Sequence, residues 1–202
     1  MDPRTRSESP RRKQMRLPVS LTKSAMKSLF AGLLLLQGCA SMPRGDVLKY
    51  STHELGLLCY GGISKVWVSY AGAGHKLFDD QGDVAREKTP ADAQRVPGFT
   101  SGSYKTFAGP IEMTWRSRDG SGLSHSIDLN KEIPNPRIPY DHPEQVWREN
   151  PFEGGEPTLI VEINDLAVHV YVAATLLVKP ADPAQKSFDR VKSYTLVHSR
   201  TL

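Results

Sequence analysis

Two cysteines in 202 residues leave little chemistry to build on sulfur. No Cys-x-x-Cys occurs, which removes the ligand spacing of a dithiol redox centre and of a cysteine zinc site. The six histidines, at positions 53, 75, 125, 142, 169 and 198, never fall at metal-ligand spacing. Residues 98–102 (GFTSG) carry threonine where a nucleophile elbow needs serine, and Gly72-Ala73-Gly74 lacks the further glycine and the lysine of a phosphate cradle. There is no internal repeat. Nor is there an apolar run near the roughly 20 residues that a membrane-spanning helix requires. These absences predict a protein that is not an enzyme and that carries no metal or cofactor.

The greasiest stretch is short and ends abruptly. Residues 29–36 (LFAGLLLL) follow Lys23 and Lys27 and run into Leu36-Gln37-Gly38-Cys39. A basic flank before a short apolar core is the pattern of an export signal. The ending resembles the lipobox of bacterial lipoproteins, with Leu36 in the bulky slot, Gly38 before the cysteine, and Gln37 as a departure at a loose position. The resemblance implies diacylglycerol on the Cys39 thiol, cleavage before it and acylation of the new amine. Ala40 after the cysteine implies sorting to the periplasmic face of the outer membrane rather than retention on the inner one. The expected organisation is a removed extension and signal over residues 1–38, a lipidated tether over 39–50 and a single β-rich domain over 51–202. Met1, Met15 and Met26 all remain open as starts. Arg11-Arg12 lacks the apolar residues that a twin-arginine signal places after the pair.

Processing at Cys39 changes the charge. Eight of the 26 basic and two of the 22 acidic residues precede it, so 18 basic and 20 acidic residues remain. The apparent basicity belongs to the export signal. Without a clustered positive face, nucleic-acid binding is not expected. With Cys39 lipidated, Cys59 has no partner for an intrachain disulfide; it reads either as a buried, inert thiol in an apolar strand or as a reactive or intermolecular one.

The body of the chain reads as strands. An apolar run (GLLCY), a Gly61-Gly62 break and a run in which Val66, Val68 and Tyr70 alternate with Lys65, Trp67 and Ser69 predict a hairpin. Residues 71–104 read as loop, with at most a short helix near 91–95. Ile111, Met113 and Trp115, then Arg118-Asp119-Gly120, then Leu123, His125, Ile127 and Leu129 predict a second hairpin. His125 and His169 are read as structural strand histidines. Thr158 to Ile163 and Leu166 to Val178, rich in valine and isoleucine, flank a two-residue turn at Asn164-Asp165 and belong at the centre of a sheet. A late strand is expected at 194–197. The resulting class is mainly β: an antiparallel β-sandwich or open barrel built from hairpins, with long Pro/Gly-rich loops.

One segment stands apart. Residues 130–157 hold six prolines, which remove donors and fix φ, so little regular structure is expected beyond a short helix over 143–148. Tyr140, Trp147 and Phe152 are set among Glu144, Glu149, Glu153 and Glu156. Long loops of this kind are usually functional, and aromatics dominate binding hot spots, so Tyr140, Glu144, Trp147, Glu149, Phe152 and Glu153 are the candidate partner-binding residues. The competing reading is that Trp147 and Phe152 only pin the loop to the sandwich.

The ordered set of the Gly-rich opening, MTWRSRDGSGLSHSIDL and PTLIVEINDLAVHVYV, after a lipobox, resembles small envelope lipoproteins encoded beside type VI secretion lipase effectors. The resemblance covers most of residues 57–178 and rests on the Trp115–Gly120 hairpin and the Asn164-Asp165 turn. It implies an immunity protein that binds and neutralises a periplasmic phospholipase or lipase, held to the membrane through lipid on Cys39. The alternative is a non-enzymatic structural or assembly lipoprotein of the envelope or of a secretion apparatus. A ligand- or lipid-binding sandwich is a third reading.

Overall fold

The computed structural model describes residues 45–202 apart from Pro183; the signal, Cys39 and the start of the tether lie outside the described residues. Nine strands follow in order: β1 Thr52–Tyr60, β2 Ser64–Tyr70, β3 Ala73–Leu77, β4 Thr100–Lys105, β5 Ile111–Arg116, β6 Gly122–Ile127, β7 Thr158–Asn164, β8 Ala167–Val178 and β9 Asp189–Thr201. One four-residue helix, α1 Leu129–Glu132, follows β6 and is capped by the Asp128 side chain accepting from Asn130 N–H. The strands make a five-stranded sheet, β4-β1-β7-β8-β9, and a four-stranded sheet, β3-β2-β5-β6. The sheets do not close into a barrel. They form the expected sandwich, with the core between them: Leu55, Leu159, Val161, Val168 and Val170 from one sheet meet Val66, Val68, Ile111, Met113 and Trp115 from the other.

Period-2 alternation gave the inward faces of β2 and β5 correctly. Val66, Val68 and Tyr70 are buried, as are Ile111, Met113 and Trp115, while their neighbours face solvent. The β5–β6 hairpin turns at 118–120 as expected, with Ile111 opposite Ile127 and Trp115 opposite Leu123. Leu129 departs from the expected strand and begins α1. The Trp115 indole N–H donates to the Asp165 carbonyl at 2.8 Å, joining the two sheets at one end.

Three expectations need correction. Gly61-Gly62 is not a hairpin turn: β1 lies in the larger sheet and β2 in the smaller, so the glycines carry the chain across the sandwich. Both sides of β1 are already taken, by β4 antiparallel and by β7 parallel, which leaves no edge for β2. The glycines, at φ +77° and +72°, bond instead to the Arg86 and Ala85 carbonyls. The parallel β1–β7 pair is also the one departure from a purely antiparallel sandwich among the described strands. Second, residues 71–104 contain two edge strands, β3 and β4, which the glycine, proline and polar residues had disguised; a 3-10 turn stands at Pro90–Asp92. Third, Asn164 pairs with Ala167, so the two-residue turn is Asp165-Leu166, with Asp165 at φ +52°.

The valine- and isoleucine-rich β7 is central, as expected, and nearly every residue of it is buried. Its outer face is covered because residues 84–99 lie across the sheet. Lys88 reaches both carboxylate oxygens of Glu162 at 2.7 Å, and the Tyr194 hydroxyl donates to the Arg95 carbonyl. A strand buried on both faces reads as a continuous apolar run rather than an alternating one.

Candidate functional site

Residues 145–157 are an interrupted continuation of β7 along the outer half of β8. Val146 bridges Val178, Phe152 bridges Leu176, and Thr158 then takes up regular pairing with Ala173. Between these points the chain makes two excursions, since six residues from Val146 to Phe152 span only two on β8. Pro151 and Pro157 cannot donate to a ladder, which breaks the strand into separate contacts. Main-chain bonds still fix it: Trp147 N–H to the Leu177 carbonyl at 2.8 Å, Leu177 N–H to Pro151 at 3.0 Å and Glu153 N–H to Thr175 at 2.8 Å. The expected helix over 143–148 is a single 3-10 turn, Pro143–Gln145, after which Val146 returns to extended backbone.

The six candidate residues divide over this scaffold. Phe152 is 4 % exposed and belongs to the core, so it pins the segment and offers no contact surface. Trp147 is half-buried and stacks on Phe188, centroids 4.6 Å apart and planes 11° from parallel. Glu153 is exposed and accepts from Arg190 Nε at 2.6 Å. Trp147 and Glu153 therefore both meet the chain at the start of β9. Glu144 and Glu149 project into solvent. Tyr140 is half-buried, donating to Gln145 Oε1 at 3.4 Å and packing edge-on to His142. Five acidic residues and two arginines occur over 137–157, so this segment is itself net negative, with Arg190 of β9 paired to one of its carboxylates.

Beside the Glu153 excursion lies a cleft of about 370 Å³ that sequence reading missed. Glu54, Glu153 and Glu156 line it together with Thr175, Lys192 and Tyr194. Ser103 donates to Glu156 at 2.8 Å and Thr158 to Glu54 at 3.4 Å, which orients these carboxylates without neutralising them. Arg190 pairs with Glu153 and Lys192 lines the same cleft, so its carboxylates are partly balanced by cations already present. Nothing local in the sequence joins Glu54 to Glu156; the β1–β7 pairing does, by setting Glu54 opposite Thr158.

Two other polar clusters are structural ties. Asp92, 4 % exposed, accepts from Arg86 at 2.8 Å, from Arg95 at 3.0 Å and from the Thr89 N–H and hydroxyl. These bonds, Arg86 first, hold its carboxyl far below the ordinary value. His53 is buried among Tyr70, Tyr104 and Phe107, its Nε2 2.9 Å from the Tyr70 hydroxyl. Burial drives its pKa down. Cys59 faces the core, and burial pushes its thiol up to about 12, which supports the inert reading. No helix among the described residues is long and apolar enough to cross a membrane. Compared with protein-family models, with curated proteins and with solved structures, the chain matches none.

Proposed function

We propose that this chain is an outer-membrane lipoprotein whose periplasmic sandwich binds and neutralises a lipase-class effector of type VI secretion. The observation that carries the reading is the pinned acidic surface. Main-chain bonds to β8 hold residues 145–157 in place while Glu144, Glu149 and Glu153 stay outside with the flat Trp147–Phe188 stack. A surface ordered before association spares the entropy of ordering it, and its charge favours a basic partner patch. The Asp46–Arg137 ion pair at 2.7 Å and the Lys49–Arg137 bridge fix the chain's entry beside this same segment. With lipid on Cys39, six residues before Gly45, chain length alone keeps this entry within about 20 Å of the bilayer. An effector that attacks phospholipid would meet the acidic surface there.

Contact killing between sister cells tests the proposal. Deleting the gene alone should sensitise cells, while deleting it with the neighbouring effector gene should be harmless. A triple Glu144→Lys, Glu149→Lys, Glu153→Lys protein should accumulate normally yet bind the effector at least about tenfold more weakly, because like charges facing across an interface cost several kcal/mol. Equal survival of the two deletion strains would sink the proposal.

A further inference from the structure

One edge strand of each sheet, β6 and β9, carries a histidine, and the two meet across the sandwich. His125 lies opposite Met113 on the inward face of β6, and His198 lies opposite Val170 on the inward face of β9. Their Nε2 atoms stand 3.3 Å apart, with rings stacked at 5.5 Å and 29°. A tetrahedral ion with nitrogen ligands at about 2.0–2.1 Å sets two such nitrogens roughly 3.3–3.4 Å apart. Glu132, from α1, stands 3.1 Å from His198 Nδ1. A carboxylate on the far ring nitrogen favours the proton at Nδ1, so that His198 turns its Nε2 lone pair toward His125 Nε2, the arrangement that second-shell carboxylates give ligating histidines.

We infer that His125 and His198 form a two-histidine site for a borderline divalent cation of the zinc–copper class, with Glu132 as its second-shell carboxylate. The two rings come from different sheets, so the ion clasps the two sheets together. No third His, Cys, Asp or Glu completes a set among the described residues, and water fills the remaining positions. Burial first, and then the nearby Arg200 charge, lower the proton affinity of His125. Arg200 lies two residues along β9 on the same face, and its charge weakens the site for either ion; copper(II), which binds nitrogen donors most tightly, should be held more firmly than zinc.

The full-length protein in detergent, titrated calorimetrically with Cu²⁺ and Zn²⁺, tests this. One equivalent of each should bind, Cu²⁺ tighter, and each should raise the melting temperature. His125→Asn and His198→Asn should each weaken binding about tenfold or more and abolish the melting shift; Glu132→Gln should weaken it about tenfold. Should either histidine variant fail to fold, paramagnetic resonance of the wild-type Cu²⁺ adduct decides the matter through its hyperfine pattern. Two imidazole nitrogens support the site. An adduct without them, no binding by wild type, or binding within twofold of wild type in both folded histidine variants overturns it.

Discussion

Asp92 braces the loop over 84–99 through charge-assisted bonds to Arg86 and Arg95 and accepts from the Tyr60 hydroxyl of β1 at 3.4 Å, and this makes the fold sensitive to acid. Its folded-state pKa is depressed, so its contribution is fully present above the unfolded carboxylate value near ~3.9 and drains away as pH falls below that, toward the folded value. Urea unfolding followed from pH 7 to pH 2 should show the wild-type midpoint falling steadily in the acid range. Asp92→Asn should start lower at neutral pH and decline less steeply; parallel curves would show that another group governs the acid limb. Cys59 illustrates the opposite case, a thiol whose pKa burial pushes up to about 12. Both environments come from strand or loop neighbours, yet only the apolar run around Cys59 was legible in the chain. The ligands of Asp92 lie in an irregular stretch where side-chain direction follows no period.

Among the elements, Gly61 carries the largest demand. It combines φ +77° with a site where an added Cβ would lie 2.5 Å from Asn164 Oδ1 and 2.9 Å from the Asp165 nitrogen. Gly120, in the β5–β6 turn, has φ +89° but open space around it. Gly120→Ala should therefore cost about 1 kcal/mol, from backbone conformation alone. Gly61→Ala should cost more, about 2–3 kcal/mol, because the β7–β8 turn must also shift. Equal denaturation midpoints for the two variants would refute the close approach at the crossing. The β5–β6 and β7–β8 hairpins were legible because one local turn and one alternating pattern specify each. The Gly61-Gly62 crossing was misread because two glycines at positive φ serve a hairpin and a sheet-to-sheet crossing equally well. Edge strands β3 and β4 were missed for a related reason: half-exposed and rich in glycine, serine and lysine, they look like the loops around them.

For the whole molecule, the lipoprotein proposal makes its own prediction. Cys39→Ser should abolish lipid labelling and move the protein from the membrane fraction to the soluble periplasm, while the sandwich melts within a degree or two of wild type. Persistence of labelling and membrane association would refute lipidation at Cys39. Protection should fall with the anchor even though the acidic surface is intact, since the effector is then met in bulk rather than at its substrate.

By itself the sequence determined the β class, the inward faces of β2, β5 and β6, the central place of β7 and the net negative charge over 137–157. These follow from period-2 alternation, from β-branched enrichment and from charge, all of which are local. The tertiary structure alone decided which sheet each strand joins, that β1 and β7 run parallel, that Phe152 is core while Trp147 stacks on Phe188, and that His125 meets His198. Alternation states which way a side chain faces and nothing about what it faces. The partner is chosen by which strand edges remain unpaired once the most buried strands have assembled, and that is settled between residues scores of positions apart.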